Sequence, residues 1–216
     1  MTISHQKSFK LIIQEIFTLP VWIKQTIYME LKEQLENSSM QSYLDVVRKD
    51  HCLQFFIPKL TYTGNKELGC RTKNLSENVY LFLECVSQNI SIVEIAIKNN
   101  WNLCECSNYF IEAMEADLVA KPSSDYIKGT ALYMSGKIRL GEYFIKINKI
   151  TIEQVNEALK KQKQLEESLG DRPGLAEILI SLNFLSRKDT EGILLLKEDC
   201  QKYYTSSLIT QDLSKP

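Results

Sequence analysis

The sequence predicts a mainly α-helical protein whose last third is one helix-turn-helix unit written twice. Apolar residues recur at helical spacing along most of the 216-residue chain. Near its end, Arg139-Leu140-Gly141-Glu142-Tyr143-Phe144-Ile145 matches Gly174-Leu175-Ala176-Glu177-Ile178-Leu179-Ile180 at an offset of 35 positions (174 against 139). The match runs on through Asn148 and Asn183, Ile150 and Leu185, Thr151 and Ser186, and Leu159 and Leu194, which makes it an internal duplication. A duplicated unit with a groove between its copies points to a binding module more than to a catalyst.

The first region, residues 1–63, is expected to be a helical bundle. Phe9, Ile12, Ile13 and Ile16 form one apolar face, and Leu19-Pro20 introduces a second helix carrying Ile23, Ile27, Leu31 and Leu35 at i+4 spacing. A third helix through Tyr43, Leu44 and Val47 follows. Phe55-Phe56-Ile57-Pro58 and Tyr62-Thr63-Gly64-Asn65 are expected to be extended or turn-like, and the polar stretch 64–74 to be a linker.

The middle region, residues 75–121, has the apolar order of a small helical module: Leu81 and Leu83, then Ile92-Val93-Glu94-Ile95-Ala96, the turn Asn99-Asn100-Trp101-Asn102, then Phe110, Ile111 and Met114. It resembles the helix-turn-helix core of winged-helix domains. Its charge opposes DNA reading, because between Glu77 and Lys121 there are seven acids and two lysines, and residues 105–116 hold no Lys or Arg. Phosphate neutralisation supplies most non-specific DNA affinity, so no DNA partner is expected.

In the duplicated region, Thr151-Ile152-Glu153-Gln154 is a capping box and Ser186-Arg187-Lys188-Asp189 a looser version of it. Asn148 and Asn183 precede the caps where one helix must end, and Asn tolerates the left-handed conformation. Each unit is therefore helix, tight turn, helix. Upstream, Ile127, Ala131 and Met134 mark a helix that runs through Gly136 into Arg139.

A net charge of −1 gives no general attraction to nucleic acid or anionic lipid. No apolar run reaches the roughly 20 residues that span a bilayer, so a cytoplasmic protein without membrane insertion is expected. The six cysteines are scattered and the histidines are only His5 and His51, which leaves no zinc pattern and suggests reduced, buried thiols.

The residues Arg139-Leu140-Gly141, Phe144-Ile145, Ile150, Val155, Leu159 and Gln162 resemble the motif of MshEN domains, the N-terminal domains of type II secretion and type IV pilus assembly ATPases. The resemblance covers about residues 137–204. It implies that two tandem motifs bind cyclic di-GMP, through Leu140, Gly141, Phe144, Ile145, Ile150, Val155 and Leu159 in the first copy and Leu175, Ala176, Leu179 and Ile180 in the second, with polar contacts from Arg139 and Gln162. The chain departs from the motif at Asn148 and Lys149 in the first copy and at Gly174, Ala176, Thr190 and Lys197 in the second. The spacer 163–173 is longer than the family's usual connection, and Arg172 lies two positions upstream of the missing arginine.

Catalysis has no support in the residues. A phosphate loop is absent, since Gly136-Lys137 is followed by Ile138 and the required earlier glycine is Ala131, so the chain is not expected to be the motor of such an assembly. Catalytic residues, metal ligands and cofactors are all expected to be none. The reading is a non-enzymatic cyclic di-GMP-responsive signalling or adaptor protein, with a protein partner in secretion, pilus or motility machinery. The alternative is a scaffold or adaptor subunit of such an assembly that keeps the fold without binding nucleotide.

Overall fold

The computed structural model describes residues 53–170 and 172–201. The three helices predicted within residues 1–63, from Phe9 through Val47, lie outside the described residues; the described end of that region begins with a 3-10 turn at Leu53–Phe55. Nine helices follow among the described residues: α1 (Tyr62–Cys70), α2 (Glu77–Ser87), α3 (Ile92–Lys98), α4 (Leu103–Glu115), α5 (Asp125–Met134), α6 (Leu140–Lys146), α7 (Ile152–Leu169), α8 (Leu175–Ser181) and α9 (Arg187–Asp199). The fold is mainly helical, as the periodicity indicates.

The expected linker at 64–74, with a turn at Tyr62-Thr63-Gly64-Asn65, is instead largely the helix α1. Thr61 caps it by accepting from Gly64 N–H, and Arg71 ends it in the left-handed region at φ 45. The segment is too polar for an apolar-pattern reading to recognise; tertiary contacts hold it. Glu67 is buried and accepts from Thr72 Oγ1, Lys73 N–H and the Tyr80 hydroxyl, each at 2.7 Å. Burial raises the Glu67 pKa, but these hydrogen bonds to the anion outweigh it and leave the group below its ordinary value. A Cβ on Gly64 would run into the Leu118 carbonyl, so α1 approaches residues 117–119 backbone to backbone. Beside it, Leu60 and Val119 form an antiparallel bridge, with Ala120 N–H donating to Lys59 O at 2.8 Å.

α2, α3 and α4 pack around Val79, Phe82, Leu83, Ile92, Ile95, Phe110 and Ile111, all buried. The turn between α3 and α4 falls at the expected Asn99–Asn102. Asn100 takes φ 52, and Asn102 caps α4 by accepting from Glu105 N–H at 2.8 Å. The helix-turn-helix is present, whereas a hairpin wing is not formed among the described residues, where the Leu60–Val119 bridge is the β pairing found.

α5 connects this module to the duplicated units. Its Ile127, Ala131 and Met134 are buried, and one continuous cluster of buried hydrophobic residues runs from Leu53 to Cys200. Gly136, at φ 76, breaks the chain out of α5 into α6 where the sequence places a small-residue break.

The cysteines depart from the expectation of buried, reduced thiols. Cys104 in α4 is joined to Cys200 after α9 by a disulfide, with Cα atoms 5.3 Å apart across 96 residues of sequence. Cys70 is a free and exposed thiol, and Cys85 and Cys106 are free and buried. Their separation in sequence hid the pair, since loops of any length can bring two cysteines together.

Candidate functional site

The first copy is α6, a turn and α7; the second is α8, a turn and α9. Their local chemistry repeats. Before α6, Arg139 holds extended backbone at φ −89, and Glu142 reaches back to accept from its N–H at 2.6 Å; before α8, Glu177 does the same for Gly174 at 3.2 Å. Asn148 and Asn183 both sit at φ 58. Lys149 N–H then donates to Phe144 O at 2.9 Å and Phe184 N–H to Leu179 O at 3.0 Å, which closes each helix. Thr151 and Gln154 form the expected capping box, and Ser186 and Asp189 form its counterpart.

The candidate binding residues divide by burial. Phe144, Ile150, Leu179, Gly141 and Ala176 are buried and belong to the core, while Leu140, Ile145, Val155, Gln162, Leu175 and Ile180 are half-buried. Arg139 is exposed, and its guanidinium makes no hydrogen bond or ion pair among the described residues. Leu159 in α7 is 45% exposed and its counterpart Leu194 in α9 is 38% exposed, with Ile152 at 59%. Leu159 and Leu194 are thus large apolar side chains left open at matching positions of the two copies, whereas Ile152 answers to Arg187 in the second.

The structure brings Gly141, Val155 and Leu175 together. A Cβ on Gly141 would lie 3.0 Å from Val155 Cγ1 and 3.5 Å from Leu175 Cδ2, so the missing side chain lets the two copies meet at this point. The glycine thus has a packing role within the fold. Gln162 is likewise engaged: its Nε2 donates to Pro173 O at 2.7 Å, holding α7 to the entrance of the second copy. At the equivalent place Lys197 Nζ donates to Tyr133 O and Met134 O, both at 2.8 Å, capping the C-terminus of α5. Burial lowers the Lys197 pKa. Arg172 pairs with Glu166 at 3.6 Å on the surface.

Two features were not singled out as parts of the site from the sequence. Lys149, visible there only as a departure from the motif, pairs with Asp189 at 2.9 Å and ties the first turn to the start of α9. The Asp189 pKa is lowered by the hydrogen bond from Ser186 and by Lys149, and the Lys149 pKa is raised by Asp189. The second is a tyrosine cluster. Tyr143 is fully buried, with Tyr133 at 5.5 Å and Tyr126 at 6.2 Å between ring centroids. Its hydroxyl lies beside those of Tyr126 and Thr130, yet neither Tyr143 Oη nor Thr130 Oγ1 has a partner at hydrogen-bonding geometry. Burial pushes the Tyr143 pKa up, reinforced by Tyr126.

Among the described residues there is no cluster of three metal-ligating side chains, and no helix is long and apolar enough to cross a membrane. Comparison of the chain with protein-family models, with curated proteins and with solved structures gives no match.

Proposed function

We propose that the duplicated units bind cyclic di-GMP and that the chain is a non-enzymatic, cytoplasmic signalling or adaptor protein. The observation that carries this reading is the pair Leu159 and Leu194, equivalent in the two copies and both left open to solvent. Purine faces pack on such apolar surface, and covering one half-exposed leucine is worth about 1 kcal/mol. Arg139, exposed at the head of the first copy, supplies a cation for a phosphate or a fork for a guanine edge. In the second copy Gly174 stands for arginine and its N–H already donates to Glu177, so the polar contacts of this reading fall to the first copy.

A scaffold that keeps the fold without the nucleotide is the second reading, and a specific observation favours it. Gln162 and Lys197, equivalent in the repeat, both donate to backbone carbonyls of this chain instead of projecting unengaged. Calorimetric titration of the purified protein with cyclic di-GMP, with cyclic di-AMP and GTP as controls, separates the two. Selective heat with cyclic di-GMP, reduced in a folded Arg139→Ala variant by about 1.5–3 kcal/mol of binding energy, supports the sensor. Absence of heat for all three nucleotides supports the scaffold.

A further inference from the structure

We infer that the Cys104–Cys200 disulfide is a redox latch that fastens the second repeat to the middle module. The inference rests on the geometry of α9 and stands apart from the nucleotide reading. Three contacts tie α9 down along its length. At its start Asp189 pairs with Lys149 of the first repeat; near its end Lys197 caps α5 through two backbone carbonyls; immediately after it, Cys200 is bonded to Cys104. At that last point Cys104 N–H also donates to Cys200 O at 3.1 Å. An N–H of the first turn of α4, which no bond within that helix can satisfy, thus finds its acceptor at the end of α9. The disulfide holds that acceptor in place.

The two buried thiols leave this pair unchallenged. Cys106, two residues from Cys104, is fully buried with its Sγ facing Ile92 O at 3.5 Å, and burial pushes its thiol pKa up, so it stays protonated and inert. Cys85 is also buried, and its sulfur accepts from Asn99 Nδ2. Cys200 is buried whereas Cys104 is half-buried, so Cys104 is the more open side from which a reductant approaches the bond. In the opening step one thiolate of a dithiol attacks Cys104 Sγ; the S–S bond breaks, and Cys200 leaves with the electron pair and takes a proton from water. The reductant's second thiolate then displaces Cys104 and closes its own disulfide, so one bond is exchanged for another. Closure runs in reverse with a low-molecular-weight disulfide as oxidant, which leaves as two thiols.

The test uses the full chain equilibrated in oxidised or reduced glutathione, or reduced with dithiothreitol. Alkylation under denaturing conditions followed by peptide mapping should find Cys104 and Cys200 linked to each other in the oxidised protein and both reactive after reduction. Hydrogen exchange should then be faster, by about tenfold or more, in peptides from 187–201 and at the start of α4 in the reduced protein, while α2 and α3 keep their protection. Cys104→Ser should show the reduced pattern in either buffer. Cys104 and Cys200 both reactive in the oxidised buffer, or each bonded to glutathione, would overturn the pairing. Identical exchange in oxidised and reduced wild-type protein, which needs no substitution to fold, would overturn the latch.

Discussion

Single residues set the turns of the duplicated units. Asn148 and Asn183 share φ 58 because each helix must reverse within one residue, and Asn bears that conformation better than any branched side chain. Asn148→Gly should therefore leave stability unchanged within about 0.5 kcal/mol or raise it slightly, whereas Asn148→Val should cost about 1–2 kcal/mol. Urea denaturation checks both, and a valine variant as stable as the parent would mean that the turn relaxes to another conformation. At this scale the sequence was legible: offset, caps and turn asparagines follow from local chemistry. The roles of side chains with distant partners were not. Gln162 looked like a ligand contact, but nothing local reveals that Pro173 O lies 2.7 Å from its Nε2. Gly141 stands among the ligand contacts that the resemblance implies, and nothing local reveals that Val155 and Leu175 lie beside it.

Among elements, α9 is held in part by charge, through the Lys149–Asp189 pair at its start. Its N-terminal capping carboxylate, Asp189, is held below its ordinary pKa by Ser186 and by Lys149 across the repeat, so the folded state binds the proton less readily than the unfolded chain. The stabilisation is present at neutral pH and is lost as pH falls from the ordinary carboxylate value through the depressed folded one. Asp189→Asn should accordingly lower the melting temperature at pH 7, with the difference from the parent shrinking below about pH 4. A difference that stays constant down to acid pH would show that the amide disrupts packing and that the charge is unimportant. The helices α2 to α9 were readable from apolar spacing and caps. α1 was not, because its stability comes from the buried Glu67 network and the close approach of Gly64 to Leu118, which are tertiary facts. The middle helix pair was legible at its Asn99–Asn102 turn, while the disulfide that joins α4 to the end of α9 left no local trace.

In the whole molecule, α5 lies between the middle module and the duplicated units and is buried on Ile127, Ala131 and Met134, which makes it one physical link, beside the Cys104–Cys200 bond, between the repeats and the rest of the fold. Such transmission requires that ligand bind the two arrangements with different affinity. Hydrogen exchange across residues 123–140 should slow when cyclic di-GMP binds; protection confined to 139–197 would describe a module that senses without passing the signal through α5. The central claim, that the open leucines of the two copies are a nucleotide surface, is tested most directly by methyl NMR of the protein labelled at leucine and valine. Adding cyclic di-GMP should shift the resonances of Leu159, Leu194 and Val155 in a saturable way, with GTP leaving them in place. Unmoved methyl resonances at saturating cyclic di-GMP, or shifts restricted to residues remote from both repeats, would contradict it.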